Sequence, residues 1–117
     1  GEIVFQLGIP GEPLIPGISD LRGLTTVRET CAVIEHSKLL LSVSTFIEIV
    51  SDHYKTPAII LYGYLSPDIT GWPNNYNMTA GVDCSPCWER EPCKHKKCMD
   101  KITVDMVMEK IGELLKW

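Results

Sequence analysis

Leu39-Leu40-Leu41-Ser42-Val43-Ser44-Thr45-Phe46-Ile47-Glu48-Ile49-Val50-Ser51-Asp52-His53-Tyr54-Lys55-Thr56-Pro57-Ala58-Ile59-Ile60-Leu61-Tyr62-Gly63 is the stretch that sets the fold. Leu39 to Val43 is a short apolar run of the length expected for a buried strand. Thr45-Phe46-Ile47-Glu48 has the pattern of a capping box and opens a helix predicted to run to about Tyr54. Pro57 then precedes Ala58 to Tyr62, which is apolar at every position and ends at Gly63. A strand apolar on both faces is a parallel strand covered by helices on each side. Strand, helix, strand in this order predicts a right-handed crossover in an open α/β sheet.

Working outward, Ile3-Val4-Phe5-Gln6-Leu7 reads as another buried strand, ending at Gly8. The Gly- and Pro-rich residues 8 to 24 read as loop, with a short strand expected near Ile18 to Leu21. Thr26-Val27-Arg28-Glu29 is a second capping-box pattern, and its helix places Val27, Cys31 and Ile34 on one face. At the other end, Thr103 caps a last helix with Asp105 in its first turn. Its stripe of Val104, Val107, Met108, Ile111, Leu114 and Leu115 is read as a docking face for the sheet. Between them, residues 64 to 99 show no regular periodicity. The whole chain reads as one Rossmann-like domain, 1–117, an open parallel sheet with flanking helices plus a Cys-rich cap at 84–98.

That cap holds four of the five cysteines, Cys84, Cys87, Cys93 and Cys98, with His95 between the last two. The pattern C-x2-C-x5-C-x4-C supports three readings: a structural zinc or iron site, one or two disulfides, or four unlinked thiols. Thiolates can meet one tetrahedral ion at ~2.3 Å each, and His95 is the reserve ligand. Cys31 sits on a helical face and is expected to stay apart from them.

The 117 residues suffice for one domain with its own core. A net charge of −4 gives no global nucleic-acid signature, so no nucleic-acid partner is expected. No apolar run approaches the ~20 residues that span a bilayer. No secretion signal opens the chain and the cysteine count is odd, so a cytoplasmic setting is expected. There is no G-x-S-x-G, Walker A loop or H-E-x-x-H. In an open α/β sheet, ligands bind outside the carboxyl ends of the strands. The candidate donor-binding residues are accordingly Gly8, Ser44, Thr45, Gly63 and Tyr64. Each also has a plainer role, as turn glycine, helix cap or loop residue. Glu48 in the first helical turn opposes an anion at that helix N-terminus.

Asp20-Leu21-Arg22-Gly23-Leu24-Thr25-Thr26-Val27-Arg28-Glu29, the strand ending P-A-I-I-L-Y-G, and C-S-P-C-W…C…C-M-D-K-I-T-V-D-M-V together resemble one family. This order of features resembles the C-terminal half of glycosyltransferase family 9, the ADP-heptose:lipopolysaccharide heptosyltransferases and their relatives. The resemblance covers nearly the whole chain. It implies the donor-binding half of a GT-B fold, with an ADP-sugar-like nucleotide-sugar as partner and a second, N-terminal GT-B half outside this sequence. It implies sugar transfer to a saccharide or protein acceptor by the whole protein, and it admits peripheral membrane contact there. Some relatives bind a metal through such a cysteine cluster. Family members carry D-[ST]-G-x-x-H near the donor diphosphate, whereas Ser44-Thr45-Phe46-Ile47-Glu48-Ile49 matches it only at Thr45. Weak donor binding follows from that departure, and no catalysis by this chain alone is expected without the N-terminal half. The alternative reading is a non-catalytic binding or assembly module that retains the fold and the cap.

Overall fold

The computed structural model describes residues 2–88 and 93–117. It is mixed α/β, with two small parallel sheets and flanking helices, an arrangement compatible with a Rossmann-like fold. The chain divides into two compact units, Gly1–Val33 and Ile34–Trp117.

In the first unit, β1 (Phe5–Gln6) pairs in parallel with β2 (Ser19–Asp20). The Gln6 side chain ties down the connecting loop, donating to the Pro13 carbonyl and accepting from the Ile15 amide, each at 2.8 Å. Arg22 grips Asp20 with two parallel bonds of 2.9 Å, a bidentate geometry. The expected burial of the first strand is corrected: Ile3, Val4 and Phe5 are exposed. Within this unit β1 has β2 as its one strand neighbour, too small a sheet to cover both faces of an apolar strand.

The helix α1 (Val27–Glu35) starts as its sequence pattern predicts. Glu29 accepts from the Thr26 amide at 3.0 Å, and Thr26 Oγ1 accepts from the Glu29 amide at 3.2 Å. Of its three apolar-face residues, Ile34 is 1 % exposed, whereas Val27 in the first turn is 70 % exposed.

The second unit is built on three parallel strands in the order β3 (Leu40–Val43), β4 (Ala58–Leu61), β5 (Tyr76–Met78). The strand expected at Ile3–Leu7 is therefore not part of this sheet; β5 is its third member. Three residues with Asn77 in the middle carry no legible alternation, so tertiary pairing alone marks β5. The central strand is the core, with Ile59 and Ile60 both 0 % exposed.

Register assigns the two faces. Leu41 pairs with Ile59 and Val43 with Leu61, so these four side chains share one face. Leu40, Ser42, Ala58, Ile60 and Tyr62 take the other. The helix α2 (Phe46–Tyr54) lies on the Tyr62 face, since Tyr62 reaches it directly. The helix α5 (Val104–Leu115) lies on the Leu41 face. Its stripe faces the sheet only in part: an open groove of about 330 Å³ runs between them, lined by Leu41, Leu61, Ile102, Val107, Met108 and Ile111 among others, and Val104 and Met108 stay exposed. Thr103 caps α5 as expected, its hydroxyl accepting from the Met106 amide at 3.2 Å.

The region from 64 to 99 is less irregular than its sequence suggests. Besides β5 it contains α3 (Pro67–Thr70) and α4 (Lys97–Asp100). Pro67 at the first helical position, with Ser66 before it and Asp68 in the first turn, is the local signal for α3. No helix among the described residues is long and apolar enough to cross a membrane.

Candidate functional site

Because β3 and β4 are parallel and in register at Val43 and Leu61, the residues that follow them emerge side by side. Ser44 and Thr45 leave β3 and enter α2; Tyr62, Gly63 and Tyr64 leave β4. Four of the five candidate donor residues, Ser44, Thr45, Gly63 and Tyr64, thus gather at the carboxyl edge of one sheet, where ligands of open α/β sheets bind. Gly8 belongs to the first unit, where its backbone, at φ +152°, adopts a conformation favouring glycine. The Glu12 carboxylate occupies the space that a side chain at Gly8 would take.

The capping box predicted at Thr45 does not form. Thr45 is extended at the N-cap and makes no side-chain cap bond. Glu48 turns inward instead and is 5 % exposed. Its carboxylate accepts from Tyr62 OH at 2.8 Å and from Ser44 Oγ at 3.1 Å. These are charge-assisted bonds, and they supply the partners that a buried carboxylate requires. The Glu48 backbone carbonyl is held as well, by Ser51 Oγ at 2.8 Å and Asn75 Nδ2 at 2.9 Å. Burial, with the Glu48 hydrogen bond second, pushes the Tyr62 hydroxyl above the ordinary tyrosine range, which keeps it a proton donor.

Sequence reasoning missed Tyr62, Ser51 and Asn75 as members of this cluster. A tyrosine ending an apolar strand was the signal available for Tyr62; Glu48 and Ser51, three apart, are the buried residues of α2, and apolar periodicity does not mark them. The carboxylate marks the first turn of α2 with the chain's own negative charge, where a bound anion would otherwise meet free amides.

The second approach, over Gly63, is occupied by the Cys-rich segment. Ser85 Oγ donates to the Gly63 carbonyl, and the Trp88 amide donates to the Tyr64 carbonyl at 2.8 Å. A methyl group added at Gly63 would stand 3.0 Å from Met99 Sδ and 3.2 Å from Cys98 Sγ. Both ends of the segment therefore land on the same two-residue loop.

All five cysteines are free thiols; Cys84, Cys87 and Cys93 are exposed, and Cys31 and Cys98 half-buried. Cys93 Sγ lies 3.6 Å from the ring nitrogens of His95, and the Lys97 amide donates to His95 Nδ1 at 3.3 Å. The donor chemistry of four thiols and an imidazole suits a thiophilic ion. Among the described residues, however, no three metal-ligating side chains are gathered into one group. No protein family, curated protein or solved structure matches the chain.

Proposed function

We propose that this chain is the donor side of a GT-B glycosyltransferase of the family 9 type, which in the whole protein holds an ADP-sugar-like nucleotide-sugar for transfer to a saccharide or protein acceptor. The observation that carries the reading is the convergence of Ser44–Thr45 and Gly63–Tyr64 at the carboxyl edge of parallel β3 and β4. Ser44 and Thr45 would face the diphosphate from the start of α2, and the Gly63–Tyr64 loop would flank it. Zinc or iron at Cys84, Cys87, Cys93 and Cys98 belongs to the same proposal, as a structural tie for the segment that docks on that loop. What supports it is the donor set, four thiols within fifteen residues.

The isolated chain is expected to bind ADP weakly, because the buried Glu48 carboxylate places negative charge beside the first turn of α2 and the Cys98–Met99 pair packs over Gly63. Amide chemical shifts recorded during an ADP titration test this. Small shifts confined to residues 44–46 and 63–65 support the donor reading. Their absence at millimolar ADP overturns it, and micromolar affinity by calorimetry overturns the account of the obstructed approaches. A second reading, a non-catalytic binding or assembly module, draws on the inward-turned Glu48, which replaces ligand contacts with internal ones.

A further inference from the structure

The helix α5 carries a second stripe beside its apolar one. Met106, Glu109, Lys110 and Glu113 fall at the three- and four-residue spacing that puts side chains on one helix face. They line a groove of about 340 Å³ whose other wall is Tyr76, Asn77, Met78 and Thr79. That wall is an edge of the sheet, since β5 stands last in the order β3, β4, β5 and no further strand pairs with it among the described residues. The Tyr62 amide donates to the Met78 carbonyl at 2.8 Å, so the backbone polar groups of Met78 turn inward to β4. Those groups alternate in direction along a strand, and the amide and carbonyl of Asn77 therefore turn outward. Edge strands are ordinarily blunted by a charge, a proline or a bulge, and Tyr76 to Thr79 carry neither charge nor proline.

The side chains on the α5 side complete the groove. Tyr76 pairs with Ile59 and Met78 with Leu61, so both stand on the face that α5 covers; Met78 is buried and Tyr76 exposed. Lys110 Nζ lies 4.1 Å from the centre of the Tyr76 ring and donates to Glu113 Oε2 at 2.6 Å. With Lys110 matched to Glu113, the exposed carboxylate of Glu109 leaves this wall with an excess of negative charge. Outward backbone groups pair with an extended backbone, and a helix beside the edge gives alternate side chains of that backbone a place to lie. The acidic balance of the helix wall favours a basic side chain there. A second copy of this chain fits less well, because pairing β5 with its own copy brings two acidic α5 walls together on one face.

We propose that the groove between β5 and α5 takes an extended, basic peptide segment of a partner protein, which adds a strand to the sheet at Asn77 and places a lysine or arginine against Glu109. The groove runs along the side of β5, away from the strand ends where the donor residues gather, so this partner is independent of any nucleotide.

The test titrates the intact chain, labelled with nitrogen-15, with a short blocked peptide alternating arginine and valine. Amide shifts are expected at residues 76–79 and along α5 at 106, 109, 110 and 113. The same peptide N-methylated throughout, which cannot donate backbone hydrogen bonds, should give none of them. A counterpart alternating glutamate and valine should bind several-fold more weakly. Glu109→Lys, at an exposed position, should weaken the arginine peptide several-fold and strengthen the glutamate one; circular dichroism checks that the variant keeps the parent spectrum. No shifts at millimolar arginine peptide, shifts confined to other residues, or equal binding of the N-methylated form each overturn the added strand. Equal affinity for the two charged peptides overturns the basic partner. Sedimentation of the free chain covers the remaining occupant: a dimer whose 76–79 amides shift with concentration places a second copy on the edge and overturns the peptide.

Discussion

Replacing Tyr62 with phenylalanine removes one oxygen atom and leaves the ring, which is 1 % exposed, in place. No cavity of consequence opens, so the effect isolates the hydroxyl. That hydroxyl donates at 2.8 Å to the Glu48 carboxylate, itself 5 % exposed. A hydrogen bond to a charged group contributes ~1.5–3 kcal/mol, and its loss leaves a buried acceptor short of a partner. Ser44 Oγ, at 3.1 Å, still satisfies part of the carboxylate. The expected cost is therefore about 2 kcal/mol, in the middle of that range. With a urea m-value of ~1–3 kcal/mol/M for a small protein, the unfolding midpoint should fall by roughly 1 M at unchanged slope. Urea titration followed by far-ultraviolet circular dichroism reads this directly. Glu48→Gln and the double variant complete a cycle, where residues in one network couple by ~0.5–3 kcal/mol. A midpoint for Tyr62→Phe within error of the parent, or strict additivity in the cycle, would refute the claim that this buried pair holds the carboxyl edge together.

Two further outcomes follow from the first unit and from the cysteines. The side-chain and backbone hydrogen bonds from Arg22 hold the Asp20 carboxyl below the usual aspartate range. A carboxyl whose folded pKa is depressed stabilises above its unfolded pKa, and that contribution is lost as pH falls through the folded value. A carbon-detected NMR titration should place the Asp20 midpoint below that of an unstructured peptide, and Arg22→Ala should raise it part of the way back, since the amide of residue 22 still donates to the carboxylate; an unshifted midpoint in the parent contradicts the bidentate pair. For the cysteine segment, elemental analysis of chain purified under reductant is expected to find zinc or iron near one ion per chain. Negligible metal alongside four titratable thiols in 84–98 rejects the metal site, while a mass lower by two or four protons shows disulfides instead.

Local patterns were legible where the physics is local. Thr26 and Glu29 form the box that their spacing predicts, because both partners lie within one helical turn. Thr103 caps α5 for the same reason. The unbroken apolar run at Ala58 to Leu61, bounded by Pro57 and Gly63, announced a central parallel strand, whose two faces are both covered at Ala58, Ile59 and Ile60. The Thr45–Glu48 pattern matched the same box and did not form it. Glu48 had a stronger alternative in Tyr62, fourteen residues away in sequence and adjacent only after β4 docks beside β3. The same holds for β5, whose three residues become a strand only through pairing with β4.

By itself, then, the sequence determined the helices with local caps, the central strand, and the strand-end residues Ser44, Thr45, Gly63 and Tyr64 as neighbours in a parallel sheet. The tertiary structure decided what meets those residues. Glu48 turns in because a buried carboxylate takes the donors nearest to it, and Tyr62 and Ser44 are within reach. Gly63 is a glycine because Cys98 and Met99, thirty-five and more residues along, pack where a side chain would stand. Contacts at that sequence separation leave no periodicity to read, for they depend on where whole elements come to rest.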